Sequence, residues 1–445
     1  MKTSNTFSII EHQAFSKEDL KEIFKEKAEG FYKELEDFAK NNENLLGFKN
    51  KNTLKAKNYV GIIQTKSGVL EILPKCTNLD SYKKEDSSSN HDKEKLRRCY
   101  ELDNISKNND FYEKDFKFNP KNLLINMLKT LKNSPFKKSQ ISSLQSSKIP
   151  LFEVFITMFL DEFDSVYKKG LMRSYLSCEE NRAFLKGKLL FNEHIKQNLI
   201  HKERFFTSSD EFVLDIAPNR LIKSTLNFLK SKTSLNKFRL IKAMQMLDEV
   251  EFSTNYEKDF TYKISRHFDY YENLLSWCKI FLQNQTFAPY KGKNEAFALL
   301  FPMEKLFEDY VAHMLKKANP TQNIKTQSSG KYLISKKGEK CFMLKPDLYI
   351  ENETILDTKW KIPDSNEDKK HGIAQSDLYQ MFAYACKFKI HDIKLIYPLC
   401  ERTMSLQNTI KELEFNANEH LVFLNDNSPL KTNIKVQVIF APLPF

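Results

Sequence analysis

The stretch Cys341–Lys361, CFMLKPDLYIENETILDTKWK, decides how this chain is read. Its first half, Cys341 to Ile350, is rich in apolar and aromatic residues and predicts a strand. Glu351-Asn352-Glu353 predicts a turn, and Thr354 to Trp360 the returning strand. Residues two apart on a strand share a face, so Asp357 and Lys359 point the same way. Antiparallel pairing of the two strands brings Asp347 beside them. Ala374 to Lys387, AQSDLYQMFAYACK, follows with helical character, and there Gln380 and Tyr384 fall on one face.

In order, these residues spell P-D…(D/E)-x-K…Q-x-x-x-Y, a pattern that points to metal-dependent phosphodiester hydrolysis. Mg²⁺, with Mn²⁺ as a substitute, is a hard cation that prefers carboxylate and water oxygens. Asp347 and Asp357 supply the carboxylates. The metal polarises a phosphoryl oxygen and lowers the pKa of a bound water. Lys359 beside them orients that water and offsets charge developing in the transition state. Each fragment alone is ordinary: Pro-Asp is a common strand-end dipeptide, Asp-x-Lys a usual surface ion pair, and Gln-x-x-x-Tyr an amphipathic helix face. Their succession on strand, strand and helix gives them meaning. A preceding helix often adds a third acid. Phe301 to Lys317 carries an apolar stripe, Leu306, Phe307, Tyr310, Val311 and Met314, with Glu304 and Glu308 at its edge. Spacing leaves both glutamates open for the role.

At 445 residues the chain is long enough for about two or three domains. A net charge of +12 and a pI near 9.0 favour a polyanionic partner. The seven cysteines are scattered without a C-x-x-C pair, which argues against a zinc site or disulfide framework and for a reducing cytoplasm. The nine histidines show no metal-ligand spacing. No leader peptide or membrane-spanning run is legible. No G-x-x-x-x-G-K-[ST] loop occurs, so this chain is not expected to bind nucleotide itself.

Four segments are expected. Residues 1–76 read as a small α+β region, with a charged helix over Lys17–Asn42 and a hairpin of Tyr59–Ile63 and Val69–Leu73. Residues 77–120, rich in Lys, Asp, Ser and Asn, read as an exposed, partly disordered insertion. Residues 121–294 read as mainly helical, with a long amphipathic run through Leu151–Lys169. Residues 295–445 read as the α/β catalytic domain, with further strands at Ile393–Tyr397, Leu421–Leu424 and Ile434–Ala441. Phe116–Phe152 and Ile216–Leu247 contain no acids. Such stretches suit phosphate contact or a solvated helix face, and the second, with Arg220, Lys223, Lys230, Lys232, Lys237, Arg239 and Lys242, is the better candidate.

Several of these segments resemble McrC, the nuclease subunit of McrBC-type modification-dependent and LlaJI-like restriction systems. The likeness is carried by Tyr59–Lys75 (YVGIIQTKSGVLEILPK), Gly170–Lys188 (GLMRSYLSCEENRAFLKGK), Ala217–Lys223 (APNRLIK), Pro302–Tyr310, Lys345–Ile350, Ile355–Lys361, Gln375–Tyr384 and Leu395–Pro398. It runs from about residue 55 onward. The resemblance implies a C-terminal restriction-endonuclease-like domain, a mixed sheet flanked by helices, of the PD-(D/E)xK superfamily. It places Glu308, not Glu304, at the family's Phe-Glu position. Glu308, Asp347 and Asp357, with the main-chain carbonyl of Thr358, would then hold Mg²⁺. Lys359 would position or activate the water, and Gln380 and Tyr384 would brace the site. Arg220, Lys223 and Lys361 are the candidate contacts to double-stranded DNA. The implied partner is an McrB-like AAA+ GTPase ring, on which the N-terminal part, including Tyr59–Lys75, would dock and whose hydrolysis it would stimulate. Two other classes fit the same residues: a stand-alone RecB-like repair nuclease, and a non-catalytic adaptor of an AAA+ partner.

Overall fold

The structure is a computed structural model that describes residues 6–76, 93–105, 119–131, 135–138, 149–283, 297–328, 330–336, 338–364, 366–400, 402–403, 406, 412–415 and 434–444. The chain divides into two compact units. The first comprises Met1–Lys137, Leu144–Leu151 and Thr286–Phe445; the second comprises Lys138–Ser143 and Phe152–Gln285.

The expected boundaries at 76 and 294 do not coincide with this division, and a sheet explains why. The hairpin Tyr59–Gln64 and Val69–Leu73 forms as read. Its strand Tyr59–Gln64 then pairs antiparallel with Phe297–Pro302, while Val69–Leu73 pairs parallel with Thr6–Ile10. Both hairpin strands are buried along nearly their whole length, so their backbone groups need partners on both edges. Gly61 lets the pairing happen. At φ +133 a Cβ there would lie 2.1 Å from the Leu299 carbonyl oxygen, so only glycine allows the approach. Beside this sheet, helices Lys17–Phe24 and Ala28–Asn41 bury Leu20, Phe24, Phe31, Leu35 and Phe38. The single helix expected over 17–42 is interrupted at Lys25, whose φ of 50 ends the first helix.

The second sheet of this unit has six strands. Their order is Ile324–Thr326, Leu348–Ile350, Thr354–Thr358, Asp392–Leu399, Ile434–Pro442 and Glu412–Phe415. The pairs 354–358 with 392–399 and 392–399 with 434–442 are parallel, and the rest are antiparallel, so the sheet is mixed. Thr354–Thr358 is buried at every position, as a central strand should be. The crossover to its parallel neighbour contains helix Gln375–Phe388, whose Met381, Tyr384 and Ala385 enter the core with Ile393, Leu395 and Val436. Helix Met303–Ala318 buries the predicted stripe.

The strand expected over Cys341–Ile350 is two strands. Leu348–Ile350 joins the large sheet, whereas Glu339–Leu344 pairs with Lys331–Lys336 in a separate hairpin. The break falls at Lys345-Pro346-Asp347, where proline has no N–H to give a ladder. Part of the expected polar insertion is packed: Cys99, Tyr100 and Ile105 are buried, and the Tyr100 hydroxyl donates to the Pro442 carbonyl at 2.7 Å. Residues 77–92 and 106–118 of that insertion, and the strand expected at Leu421–Leu424, lie outside the described residues.

The second unit packs helices 151–169, 217–230, 237–245 and 271–282, with Trp277 stacked on Phe281 at 5.6 Å and Phe159 against Phe281. It also holds a sheet the expectation of a mainly helical region omits: Ser174–Arg182 pairs along its length with Phe205–Val213, which also takes Lys188–Leu189. Most of its residues are exposed or half-buried, so no apolar alternation announces the two long strands. Among the described residues no helix is long and apolar enough to cross a membrane.

Candidate active site

The pairing of Leu348 with Leu356 sets Asp347 level with the end of the Thr354–Thr358 strand. Its Oδ2 accepts from the Thr358 amide at 2.8 Å and the Thr358 hydroxyl at 2.7 Å. Asp357, one residue earlier, is 1% exposed. The Lys359 ammonium lies 2.6 Å from Asp357 Oδ2. That buried oxygen is thus paired with the lysine, a contact that pulls the Asp357 pKa down and the Lys359 pKa up. Lys359 Nζ donates to Gln380 Oε1 at 2.9 Å, Gln380 Nε2 donates to the Tyr384 hydroxyl at 2.7 Å, and Tyr384 donates to the Lys345 carbonyl at 3.0 Å. The Gln-x-x-x-Tyr spacing thus becomes a strut. It starts on the lysine and ends two residues before Asp347.

The electrostatics follow from burial. Burial, reinforced by the charge on Asp347, raises Asp357 to about 7 against the pull of Lys359. Burial draws the Lys359 ammonium down, but Asp357, Asp377 and Asp347 outweigh it and hold the pKa above its ordinary value. Lys359 is therefore a fixed cation at neutral pH. Burial also raises Glu308; Lys305 opposes this and Asp347 adds to it. Of the two glutamates left open by spacing, Glu304 is exposed, whereas Glu308 is half-buried and feels Asp347. Glu308 Oε1 accepts from Lys305 at 2.8 Å and from Gln327 Nε2 at 3.0 Å.

Hard oxygen donors, and a buried Asp357 and half-buried Glu308 whose ionisation is disfavoured, suit a hard divalent cation. The arrangement is a pair rather than a finished cage: among the described residues, no three His, Cys, Asp or Glu side chains gather as a metal-binding group. Asp347 faces Thr358, and Glu308 is engaged by Lys305 and Gln327.

Four residues at the site have no counterpart in the sequence reading. Glu11, 2% exposed, accepts from the Trp360 indole N–H at 2.6 Å and from the Lys75 amide at 3.0 Å. Lys75 Nζ donates to the Trp360 carbonyl at 2.9 Å. Asp377 takes both hydrogen bonds of Lys361, at 2.7 and 3.0 Å. Gln327 contacts Glu308, as above. Contacts spanning up to 349 residues leave no local pattern to read. The candidate DNA contacts Arg220 and Lys223 lie in the second unit and are held there. Arg220 is bidentate to Asp215 at 2.7 and 2.6 Å, and Lys223 donates to the carbonyls of Asp248 and Val250.

The family model of the McrBC 5-methylcytosine restriction system component matches residues 54–398. Among solved structures, the fold resembles a chain in the refined half-complex from the tetradecameric assembly of Thermococcus gammatolerans McrB AAA+ hexamers with bound McrC. The TM-score is 0.63 and the identity 19%, over 98% of this chain and 94% of that one. A chain in the cryo-EM structure of the Thermococcus gammatolerans McrBC complex aligns with a TM-score of 0.45 and 21% identity, over 70% of this chain and 87% of that one. No curated protein matches. The first structural likeness speaks for the fold, and the sequence match covers well over half the chain, including both aspartates and Lys359: the chain belongs to the McrBC 5-methylcytosine restriction system component family.

Proposed function

We propose that this chain is the nuclease subunit of an McrBC-type restriction complex and that it hydrolyses DNA phosphodiester bonds at Asp347, Asp357 and Lys359. The observation that carries the reading is the buried Asp357 carboxylate, raised by burial and by Asp347 and paired at 2.6 Å with a lysine that Gln380 and Tyr384 brace. Mg²⁺, or Mn²⁺, held by Asp347, Asp357, the Thr358 carbonyl and Glu308 would supply Lewis-acid activation of the phosphoryl group and of a bound water. Lys359 holds its proton and acts as a donor, orienting the attacking water and meeting charge on the phosphoryl oxygens, rather than removing a proton itself. Gln380 fixes the ammonium through its amide oxygen, and Tyr384 fixes Gln380. Thr358 orients Asp347 through two donors. Glu308 completes the acidic set by exchanging Lys305 and Gln327.

The +12 charge and the lysines at the site fit a DNA substrate. Lys361, side chain 43% exposed, is placed to exchange Asp377 for a phosphate. Arg220 and Lys223 would join only by giving up their present partners. McrB AAA+ hexamers with bound McrC in the Thermococcus gammatolerans assembly suggest the partner, a GTPase ring whose hydrolysis this chain would stimulate. The N-terminal region would meet such a ring through its outer surface and the exposed Lys66 turn, because the hairpin strands themselves are buried.

The test is cleavage by the chain assembled with its AAA+ partner, GTP and Mg²⁺. Asp357→Ala and Lys359→Ala should each lower cleavage by roughly 10²–10³-fold or more, with partner binding and GTP hydrolysis unchanged. Cleavage that survives both substitutions removes the assignment.

A further inference from the structure

A cleft of about 490 Å³ opens between the hairpin Lys331–Leu344 and the helix Gln375–Phe388. Leu333 and Met343 line the hairpin wall, and Tyr379 and Ala383 the helix wall. Its inner end is formed by Gln380 and Tyr384, the strut that holds Lys359. We propose that this cleft is a nucleobase subsite: it takes an unstacked base of the DNA strand next to the scissile phosphate, with Tyr379 as the stacking surface. The inference rests on the nuclease reading and deepens it by naming where the strand leaves the duplex.

Three observations carry it. The first is apolar surface left in water at a concave site. Leu333 is 40% exposed, Met343 42% and Tyr379 64%, and the volume lies within the roughly 300–1,000 Å³ of pockets that enclose a small ligand. Gln375 donates to the Tyr379 hydroxyl from one turn earlier. An exposed aromatic face beside aliphatic walls suits the flat face of a base and not a phosphate.

The second observation is charge. Residues 331–345 carry five lysines and one acid, Glu339. Lys331, Lys336, Lys340 and Lys345 are exposed. An apolar slot with a cationic rim is complementary to a nucleotide, whose base is apolar on its faces and whose backbone is anionic. The third is continuity. The cleft ends on the two side chains that position the lysine, so a base seated in it is joined by its own backbone to a phosphate at Asp357 and Lys359. Phe342 stands on the same hairpin at φ 56 and 70% exposed, a left-handed conformation that bulky residues avoid and that turns its ring outward.

The chemistry also sets the selectivity. At the inner end, the Gln380 amide already serves Lys359 and Tyr384, and the Lys345 carbonyl serves Tyr384. Most of each side chain at the inner end is committed to the strut, so the subsite holds a base chiefly by stacking on Tyr379.

The experiment is equilibrium binding of the full chain to short single-stranded oligonucleotides in EDTA, where no cleavage occurs. Tyr379→Ala should weaken binding by roughly ten- to a hundredfold, and Tyr379→Phe should bind like the native protein. An abasic nucleotide, moved stepwise along the strand, should weaken the native protein at one position and leave Tyr379→Ala indifferent. Native affinity in Tyr379→Ala, or indifference of the native protein to an abasic nucleotide at every position, overturns the subsite while leaving the cleavage test of Asp357 and Lys359 to stand on its own. Native protein that binds no oligonucleotide overturns it as well.

Discussion

Asp357→Asn should make the metal-free protein more stable, and more so as the pH rises. Folding moves Asp357 from an ordinary 3.8 to about 7. It therefore holds its proton more tightly in the folded state than in the unfolded one. The folded state suffers only when the group ionises, so stability falls as pH climbs from about 4 to about 7 and is level above that. At about 1.4 kcal/mol for each tenfold, the loss is about 2 kcal/mol near pH 5 and about 4 kcal/mol near pH 8. Lys359 does not reverse the sign, because its attraction is already included in the raised value. Asparagine removes the ionisation, though its amide must find partners in a buried site, which costs about 1 kcal/mol. The variant should thus exceed the native protein by about 3 kcal/mol near pH 8, and by about 2 kcal/mol less near pH 5. The assay is urea unfolding in EDTA at both pH values. Titrating groups away from Asp357 cancel in the difference, and Lys359, which does feel it, stays charged between the two pH values in the native protein. Addition of Mg²⁺ near pH 8 should then stabilise the native protein and not the variant. A stability difference that does not change with pH, or a less stable variant at high pH, would refute the account of Asp357 as a carboxylate kept under strain for a cation.

Trp360→Phe removes the indole donor to the buried Glu11 and should cost about 2 kcal/mol in urea unfolding, as for other hydrogen bonds to a charged acceptor. Glu71 is fully buried beside Lys121 at 3.2 Å and accepts from the Ser8 hydroxyl, so Glu71→Ala strands a buried ammonium and should cost about 3–5 kcal/mol; adding Lys121→Met should recover much of it. In the second unit, Glu153 accepts from the Thr233 hydroxyl, the Ser234 amide and the Asn236 amide group at 2.6, 2.7 and 2.9 Å. Glu153→Ala should therefore speed amide hydrogen exchange at Ser234 and Leu235 by roughly 10²-fold, from a loss of about 3 kcal/mol.

The parts legible in the sequence were those whose signal is local. Asp357 and Lys359 share a strand face by period, Gln380 and Tyr384 a helix face, and the stripe of helix Met303–Ala318 repeats at helical spacing. Each depends on neighbours a few residues away. Pro346 marked the strand break but was read through, because the apolar run on either side of it looks continuous. The pairing of Tyr59–Gln64 with Phe297–Pro302 spans more than two hundred residues, and nothing in either strand names the other. The long strands of the second unit were missed for the opposite reason: the residues they bury, Arg182, Thr207 and Ser209, are polar, so no apolar alternation marks them. Tyr379 stands one residue before a predicted site residue, yet its exposure and the cleft beside it depend on a hairpin that the sequence reading had merged into another strand.

The backbone around Lys359 shows why the N-terminal strands belong with the site. The Lys359 amide donates to the Ile396 carbonyl at 2.8 Å, which continues the parallel pairing one step past the strand end. The next carbonyl, that of Trp360, accepts from Lys75, and the Trp360 ring is fixed by Glu11 on one side and by Phe307 at 5.3 Å on another. Lys359 is thus anchored before and after itself, once by the central sheet and once by residues from the start of the chain. Phe307 adjoins Glu308 on the helix that follows Phe297–Pro302, the strand that completes the N-terminal sheet. Two routes therefore lead from that sheet to the candidate site: through Glu11 and Trp360 to Lys359, and through Phe297–Pro302 to Glu308. A partner that pulled on the N-terminal sheet would act on both ends of the acidic set at once, with no need for a loop to carry the motion.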